Sequence, residues 1–290
     1  MLAGISLVRN EEDLVEIAIR HHLDQGLDLV LVADNGSSDA TVEILERLAR
    51  QDRRVLWSRT RDTGFRQSEA VTELARAAAR RGARWILPFD ADEFWCSPCG
   101  LTADLSGCEA DAVSVAVVNF IQAREQIRRE PAAVLRAVYR CSVPIGDYRK
   151  VRFLVAQGAI SYVEASYQRK YISRASAGIE IGPGNHLVKG IGRRRLRSRR
   201  FVCLHLPLRA RDIFRDKAEQ AARLAEAGLP SWHGWQSHRF AKAVREGWID
   251  AEWAANSHDA GALDTARGQV KLTFDPRLRD LLHDCLDLDP

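Results

Sequence analysis

Two aspartates and a glutamate lie together directly after an apolar run: Asp90, Asp92 and Glu93 follow residues 85–89. Carboxylate oxygens are the ligands that Mg²⁺ and Mn²⁺ prefer, and such an ion commonly bridges a protein and a substrate phosphate. A bound ion would neutralise the charge that develops on a departing diphosphate. Aspartates at this spacing are common, however, and taken alone they more often form a solvated turn. The position of the cluster in the fold must therefore decide its meaning.

The first hundred residues alternate apolar runs with amphipathic segments, which predicts a parallel β-sheet with helices on both faces. The predicted strands are residues 2–8, 27–33, 55–58 and 85–89, and two of the predicted helices are residues 40–50 and 67–81. Pro88 is unusual within a central strand, because proline cannot donate a hydrogen bond to the neighbouring strand.

Beyond Asp111 the periodicity changes. Short strands are predicted at residues 112–120, 134–141, 151–155, 159–163, 169–173 and 201–204, and helices at residues 210–227, 237–246, 250–257 and 275–286. We therefore expect an α/β half at residues 1–110, a mixed β half of the same domain at residues 111–207, and a helical C-terminal part at residues 208–290.

Polar clusters follow three of the four predicted parallel strands, and they are centred on Asn10, Asp34 and Asp90. Ligands of open parallel sheets bind beyond the carboxyl ends of the strands, so we expect these clusters to converge in space. Asn10 is also expected to cap the helix that follows it, and the segment after Asp34 is a turn that leads into a helix. The chain has no GxGxxG or GxxxxGK[ST] motif, which argues against a dehydrogenase or a P-loop enzyme.

Taken in order, the motifs of the chain resemble those of the family 2 glycosyltransferases. The matching segments are Val8-Arg9-Asn10-Glu11-Glu12, Asp34-Asn35-Gly36-Ser37-Ser38-Asp39, Asp90-Ala91-Asp92-Glu93-Phe94, Gly184-Asn185-His186 and His205-Leu206-Pro207-Leu208-Arg209. They are most similar to the branch with a DNGS-D turn and a D-DEF metal motif, and the resemblance runs from Leu2 to Lys217. Arg9 and Ala210 depart from it, since the family usually has Tyr and Ser there. The resemblance implies a GT-A fold, which is a Rossmann-like mixed α/β sheet.

The resemblance also implies a donor, a nucleoside-diphosphate sugar that is UDP-linked, and the residues that bind it. The implied donor-binding residues are Arg9, Asn10, Glu11, Asp34, Asn35, Gly36, Gln67, Asp90, Lys170 and Arg209. The role of Asp34 is physically reasonable, because a carboxylate accepts hydrogen bonds from an imide N–H or from ribose hydroxyls.

The same resemblance implies a cofactor and a catalytic base. The cofactor is Mn²⁺ or Mg²⁺, and its implied ligands are Asp90, Asp92 and His205. An inverting transfer needs a carboxylate or an imidazole that removes a proton from the acceptor hydroxyl. Glu93 and His186 are the predicted catalytic residues, and Glu164 and Asp147 remain alternatives that the sequence does not separate.

Charge and length limit the partners. The chain has 43 Lys and Arg residues against 39 Asp and Glu residues, a mild excess that demands no nucleic acid. The arginine run from Arg193 to Arg200 suits an anionic membrane surface or an acidic glycan, or it forms a solvated hairpin. It has no interleaved aromatic residues, so we predict no nucleic-acid partner. With no bilayer-spanning apolar stretch and no signal peptide, we expect a cytoplasmic protein, at most peripheral at the inner face of a membrane.

Cysteines and late tryptophans each have two interpretations. The six cysteines are irregularly spaced, and the CxxC at Cys96 and Cys99 lacks a second ligand pair, so free thiols are favoured over a zinc site. Four tryptophans could stack on an acceptor sugar, although helix packing is the simpler interpretation. They are Trp232, Trp235, Trp248 and Trp253.

The leading hypothesis is metal-assisted transfer of a sugar to a glycan, lipid-linked or small-molecule acceptor, as in polysaccharide biosynthesis. A nucleotidyltransferase is the first alternative, but it would carry a Gly-rich loop with Lys or Arg after the first strand, which this chain lacks. The second alternative is a non-catalytic nucleotide- or glycan-binding protein. The presence of Asp90, Asp92, His186 and His205 speaks against lost chemistry.

Overall fold

The computed structural model describes residues 1–60, 67–228, 235–259, 261, 263 and 272–286. The chain divides into two compact units that each combine separate segments. Unit 1 comprises Met1–Val118, Gln168–His205 and Asp284–Pro290, and unit 2 comprises Asn119–Tyr167 and Leu206–His283. Neither unit is a continuous stretch, because segments that are far apart in sequence pack together in each.

The first part of unit 1 alternates strands and helices, as the sequence predicts. Its elements are β1 Leu2–Val8, α1 Val15–Asp24, β2 Leu29–Asp34, α2 Thr41–Gln51, β3 Val55–Arg59, α3 Gln67–Arg80 and β4 Trp85–Pro88. The strands are parallel in the order β3-β2-β1-β4. Val71, Ala75 and Ala78 lie on one face of α3 and are buried in the core of the unit, because residues three and four apart share a helix face.

Antiparallel strands extend this sheet, and a separate pair of strands and a short helix complete unit 1. The strands that extend the sheet are β5 Glu93–Cys96, β6 Ala112–Ile121, β8 Lys170–Arg174 and β11 Arg195–His205, and the last three residues of β6 belong to unit 2. The helix is α4 Leu101–Leu105, and the separate antiparallel pair is β9 Glu180–Ile181 and β10 Val188–Lys189. β8 lies between β4 and the start of β6, and β11 pairs with β5. Phe89 N–H donates to Ile5 O of β1 at 3.0 Å, so the backbone nitrogen of the preceding residue, Pro88, faces β8. On that side β4 pairs with β8 through Trp85 and Ile86, before the strand reaches Pro88. Pro88 is tolerated because no pairing is needed there.

Unit 2 is mainly helical. Its elements are β7 Tyr139–Cys141, α5 Tyr148–Ala156, α6 Arg211–Glu226, α7 Trp235–Arg245, α8 Ile249–Asn256, β12 Leu272–Phe274 and α9 Arg277–Leu282. β7 pairs with β12 and with the last residues of β6. The core contains Tyr162 and Val163 together with Ile213 and Phe214 of α6.

Two strands predicted in the middle of the chain are wrong. Residues 151–155 belong to α5, and residues 159–163 run into a short 3-10 helix, Tyr162–Glu164. Asp147 caps α5 by accepting hydrogen bonds from two backbone N–H groups, and Ser161 and Glu164 form a capping box. Short apolar runs do not distinguish a strand from a buried helical turn, and these caps select the helix. The strand predicted at residues 134–141 is reduced to β7 for the same reason, since Pro131–Arg136 is a 3-10 helix.

Candidate active site

The loop after β1 and the turn after β2 are hydrogen-bonded to each other. Asn10 N–H donates to Ser37 Oγ at 2.9 Å, and Asn10 Oδ1 accepts from Ser38 N–H at 2.9 Å. Asn10 has a φ of 54°, a left-handed conformation that asparagine adopts more readily than most residues. The prediction that Asn10 caps the next helix is wrong, because α1 begins only at Val15 and the Asn10 side chain bonds the neighbouring loop instead. The first two polar clusters thus form one surface.

Asp34 is fully buried at the end of β2 and organises the turn that follows. Its carboxylate accepts from the backbone N–H groups of Gly36 and Ser37 at 3.2 and 3.1 Å. Gly36 has a φ of 77°, which favours glycine. Arg59 Nε donates to the same carboxylate at 3.3 Å, and the Arg59 side chain is mostly exposed. Arg59 therefore covers the carboxylate that was predicted to contact the nucleotide.

A buried lysine connects two acidic residues of the third cluster. Lys170 is the first residue of β8 and is only 3% exposed. Its Nζ lies 2.7 Å from Asp90 Oδ2 and also forms an ion pair with Glu93 Oε1. Glu93 is 1% exposed, and its Oε2 accepts from Asp90 N–H at 3.3 Å. Lys170 was predicted to contact the donor, but in this arrangement its ammonium group faces the two carboxylates.

Burial changes the proton affinity within this cluster. Desolvation raises the pKa of Glu93 to about 8, against the lowering effect of Lys170, and the charges of Asp90 and Asp92 raise it further. Burial alone would lower the pKa of Lys170, but the carboxylates of Asp90 and Glu93 outweigh it, and the Lys170 pKa is raised. Lys170 is therefore charged at neutral pH. A buried Glu93 whose carboxylate is paired with Lys170 is poorly suited to remove a proton from an acceptor.

A left-handed turn places Asn185 beside Asp90. Gly184 and Asn185 have φ values of 61° and 62°, and Asn185 Nδ2 donates to Asp90 Oδ1 at 3.2 Å. The Oδ1 of Asn185 is buried and has no hydrogen-bond partner among the described residues. The Asp90 carboxylate is thus held from two sides, by Lys170 and by Asn185, and one third of its side chain remains exposed.

His186 is a neutral imidazole next to this turn. Its Nδ1 donates to Arg169 O at 3.3 Å, which leaves a lone pair on Nε2. Burial lowers the pKa of His186 below its ordinary value of 6.5, and the positive charge of Lys170 lowers it further. His186 is only partly buried, so of the two predicted catalytic residues it is the one that is both uncharged and open to solvent.

Asp92 and His205 form the pair that could hold a metal ion. β5 and β11 align His205 opposite Glu93, and His205 Nε2 lies 3.7 Å from Asp92 Oδ1. Two atoms that each bind one Mg²⁺ or Mn²⁺ at about 2.1 Å are at most about 4.2 Å apart, so the spacing fits a shared ion. No group of three candidate ligands occurs among the described residues, and Asp90 is engaged by Lys170 instead. Two protein ligands suit these ions when substrate phosphates supply others.

Two histidines of α1 hold β5 in place, a role that the sequence pattern does not predict. His21 Nε2 donates to Trp95 O at 2.8 Å, and His22 Nε2 accepts from Trp95 N–H at 3.4 Å. Burial lowers the pKa of His21 to about 4 and that of His22 well below 6.5, so both are neutral at pH 7. Together the two rings hydrogen-bond the carbonyl oxygen and the N–H of Trp95, which lies two positions after Glu93. Adjacent histidines in an amphipathic helix were the only sequence signal for this role.

The other predicted donor residues of unit 1 lie in the first two loops and at the start of α3. Arg9, Glu11 and Gln67 are each partly exposed, and Gln67 is the first residue of α3. Asn35 is buried, and its Oδ1 accepts from Thr60 Oγ1 at 3.1 Å. These positions are compatible with donor contacts for the exposed residues and with a structural role for Asn35.

Three predicted residues belong to unit 2. Arg209 is buried, and its carbonyl oxygen accepts from Trp253 Nε1 at 3.3 Å. Glu164 Oε2 accepts from Ser161 N–H at 2.9 Å within the capping box, and Asp147 is the N-cap of α5. Both alternative bases therefore have a local structural role.

The arginine run begins at Arg193, just before β11, and continues into the exposed first part of that strand. Arg195 and Arg197 are exposed, and Leu196 between them is 46% exposed. Arg200, at the end of the run, pairs with Asp104 at 2.8 Å. The run is therefore an ordered, solvated strand with a strongly positive surface.

The tryptophans follow the simpler interpretation, and the cysteines form no disulfide. All six cysteines lie within the described residues, and no disulfide joins them. Trp235, Trp248 and Trp253 pack against the core of unit 2, as helix packing predicts, and Trp232 lies outside the described residues. Within the described ranges, every helix is too short or too polar to cross a bilayer.

Comparisons with known proteins connect this geometry to a family. The profile described as Glycosyl transferase family 2 matches residues 5–162, more than half of the chain. A search of curated proteins found no match. Among solved structures, the chain is similar to residues 1–349 of S. aureus TarS in complex with UDP-GlcNAc, with 11% identity, a TM-score of 0.44, and coverage of 94% of this chain and 97% of that one.

A second solved structure is the mannosyltransferase PcManGT from Pyrobaculum calidifontis in complex with GDP-Man and Mn²⁺. It shares 17% identity with this chain at a TM-score of 0.39, with coverage of 98% of this chain and 78% of that one.

Proposed function

Since the chain belongs to glycosyl transferase family 2 and has its GT-A fold, we propose that it transfers a sugar from a UDP-linked donor to an acceptor hydroxyl with the help of a divalent ion. The profile match confirms the family that the motifs predict, and the α/β structure agrees with the predicted fold class. That the chain is a glycosyltransferase follows from the family, whereas the donor, the ion and the acceptor are the proposal. The acceptor is a glycan, a lipid-linked molecule or a small molecule.

The observation that supports the proposal is the meeting of three strand ends in unit 1. β4, β1 and β2 are parallel neighbours, so the segments that follow them leave the same edge of the sheet. Two of these segments are joined through Asn10, and the third presents Asp90 and Asp92. Ligands of such sheets bind at this edge. We assign the nucleoside to the surface around Asn10 and Arg59 and the diphosphate to the side of Asp92.

Asp92 and His205 are the residues that would hold Mn²⁺ or Mg²⁺, which would offset the charge on the departing diphosphate. Asp90 lies beside them with its carboxylate fixed by Lys170 and Asn185. Its exposed fraction leaves it able to accept a hydrogen bond from a donor hydroxyl. We assign proton removal from the acceptor to His186, because its neutral ring keeps a free lone pair, and we assign Glu93 a supporting role.

The proposal is tested by thermal shift with UDP and Mn²⁺, together and apart, and by UDP release from a panel of UDP-sugars. We expect UDP and Mn²⁺ together to raise the melting temperature more than either alone. Asp92→Asn should remove the effect of Mn²⁺ and lower turnover by about 100-fold, or about 2.7 kcal/mol. Asp216→Asn, at an exposed position of α6, is the matched control. Near-wild-type turnover of Asp92→Asn would remove the metal assignment, and no shift with any nucleotide would remove the donor.

The arginine run favours an acceptor that is presented at an anionic membrane. The exposed Leu196 between arginines suits a lipid surface better than an acidic glycan, which would have no use for an apolar side chain. We expect sedimentation with vesicles that contain phosphatidylglycerol, and loss of this binding as salt is added. Replacing four arginines of the run by Gln should abolish vesicle binding, and these are Arg193, Arg195, Arg197 and Arg199. The same replacement at four exposed control positions should leave the binding unchanged, and these are Arg50, Arg53, Arg80 and Arg81. Binding only to a soluble anionic polysaccharide would contradict the lipid assignment.

A further inference from the structure

A buried lysine side chain offsets part of the negative charge of the acidic cluster. Three carboxylates fall within four consecutive residues, Asp90 to Glu93, and the buried ammonium of Lys170 contacts two of them. Burying like charges together is unfavourable unless an opposite charge compensates them. Lys170 supplies that charge from a strand 80 positions away in sequence.

Lys170 is held in place by its backbone as well as by its charge. As the first residue of β8 it pairs with Val115 of β6, and β8 also pairs with β4, from which the acidic cluster follows. Asp90 is fixed from its other side by Asn185. The ammonium position is therefore set by the sheet, and its partner Glu93 follows Asp92 directly in sequence and lies opposite His205 in the pairing of β5 with β11.

We propose that Lys170 is a positioning residue that keeps the affinity of the acidic cluster for a divalent ion low until the donor diphosphate is bound. Its ammonium occupies the space between Asp90 and Glu93 and directs both carboxylates away from an ion. Asp92 and His205 are left as the protein ligands, and the fixed positive charge beside them repels a second cation. The diphosphate adds ligands and negative charge, which offset this repulsion. The inference rests on the proposed ion site.

The test is Mn²⁺ binding to the full chain without any nucleotide, measured by calorimetry and by the loss of the free-Mn²⁺ electron paramagnetic resonance signal. Lys170→Gln should bind Mn²⁺ at least about ten-fold more tightly than wild type, because a positive charge next to the ion is removed and Asp90 is released. Lys170→Arg keeps the charge and should keep the weak wild-type affinity. Lys189→Gln changes an exposed lysine of unit 1 and is the matched control.

Loss of the buried charge can also destabilise the fold, so a second variant is needed. Lys170→Met combined with Glu93→Gln removes one positive and one negative charge, and replacing both partners of a buried pair is often tolerated. Its Mn²⁺ affinity should lie within about three-fold of wild type, because the net charge of the cluster is unchanged. If folded Lys170→Gln binds Mn²⁺ no more tightly than wild type, the inference is overturned. It is also overturned if the double variant binds Mn²⁺ as tightly as Lys170→Gln does. A UDP shift without tighter Mn²⁺ binding would overturn only this inference and leave the donor assignment standing.

Discussion

Acid should destabilise the attachment of β5, and His21 should account for a measurable part of the effect. The His21 ring is buried, and its Nε2 donates to Trp95 O at 2.8 Å. Burial lowers its pKa to about 4 from an ordinary value of 6.5. A histidine whose pKa is lowered in the folded state contributes stability that is fully present above pH 6.5 and is lost as the pH falls through about 4.

The size of this loss follows from the width of the pH window. Between pH 6.5 and about pH 5 the unfolded chain binds a proton at His21 that the folded chain does not. The free energy of unfolding should fall by about 1.4 kcal/mol per pH unit, or about 2 kcal/mol over this range. Glu93 acts in the opposite direction, because burial raises its pKa in the folded state. Its contribution is fully present below pH 4.5 and is lost as the pH rises through about 8.

Because the two groups oppose each other, the prediction concerns the difference between wild type and His21→Gln. Glutamine keeps a side-chain N–H for Trp95 O and cannot be protonated. Urea unfolding followed by tryptophan fluorescence at about pH 7.5 and about pH 5 should show a loss on acidification that is about 2 kcal/mol smaller in the variant. His238→Gln, at an exposed position of α7, is the control and should follow wild type. Equal losses in wild type and His21→Gln would refute the assignment of this acid sensitivity to the buried ring.

Two further predictions concern the candidate site, and a third concerns a close backbone approach elsewhere in unit 1. His186→Gln should lower turnover by about 100-fold with unchanged UDP binding in thermal shift, and near-wild-type turnover would reject it as the base. Arg59→Ala should change the KM for the donor more than kcat, because it uncovers Asp34; steady-state kinetics with unchanged KM would exclude a donor role for this surface. Gly190→Ala places a Cβ 1.7 Å from a carbonyl oxygen at a φ of 68°, whereas Gly158→Ala meets open space at a φ of 67°. In urea unfolding the first should lose about 2 kcal/mol more than the second, and equal losses would show that the close approach is relieved.

The parallel half of unit 1 could be predicted because its signals are local. Each strand is a short apolar run followed by a polar turn, and each helix has its own periodicity, so β1 to β4 lie close to their predicted positions. The middle of the chain could not be predicted in this way. There the caps at Asp147 and Ser161 select helical turns from apolar runs that would also suit strands.

For the site, the sequence by itself determined which residues stand at the strand ends and hence that Asn10, Asp34 and Asp92 lie at one edge of the sheet. This follows because the ends of parallel neighbouring strands share an edge whatever the rest of the chain does. Only the tertiary structure decided that Lys170 pairs with Asp90 and Glu93 of the acidic cluster, and that His21 bonds β5. Those contacts join residues 80 and 74 positions apart, and such pairings depend on strand order and burial, which leave no local pattern in the sequence.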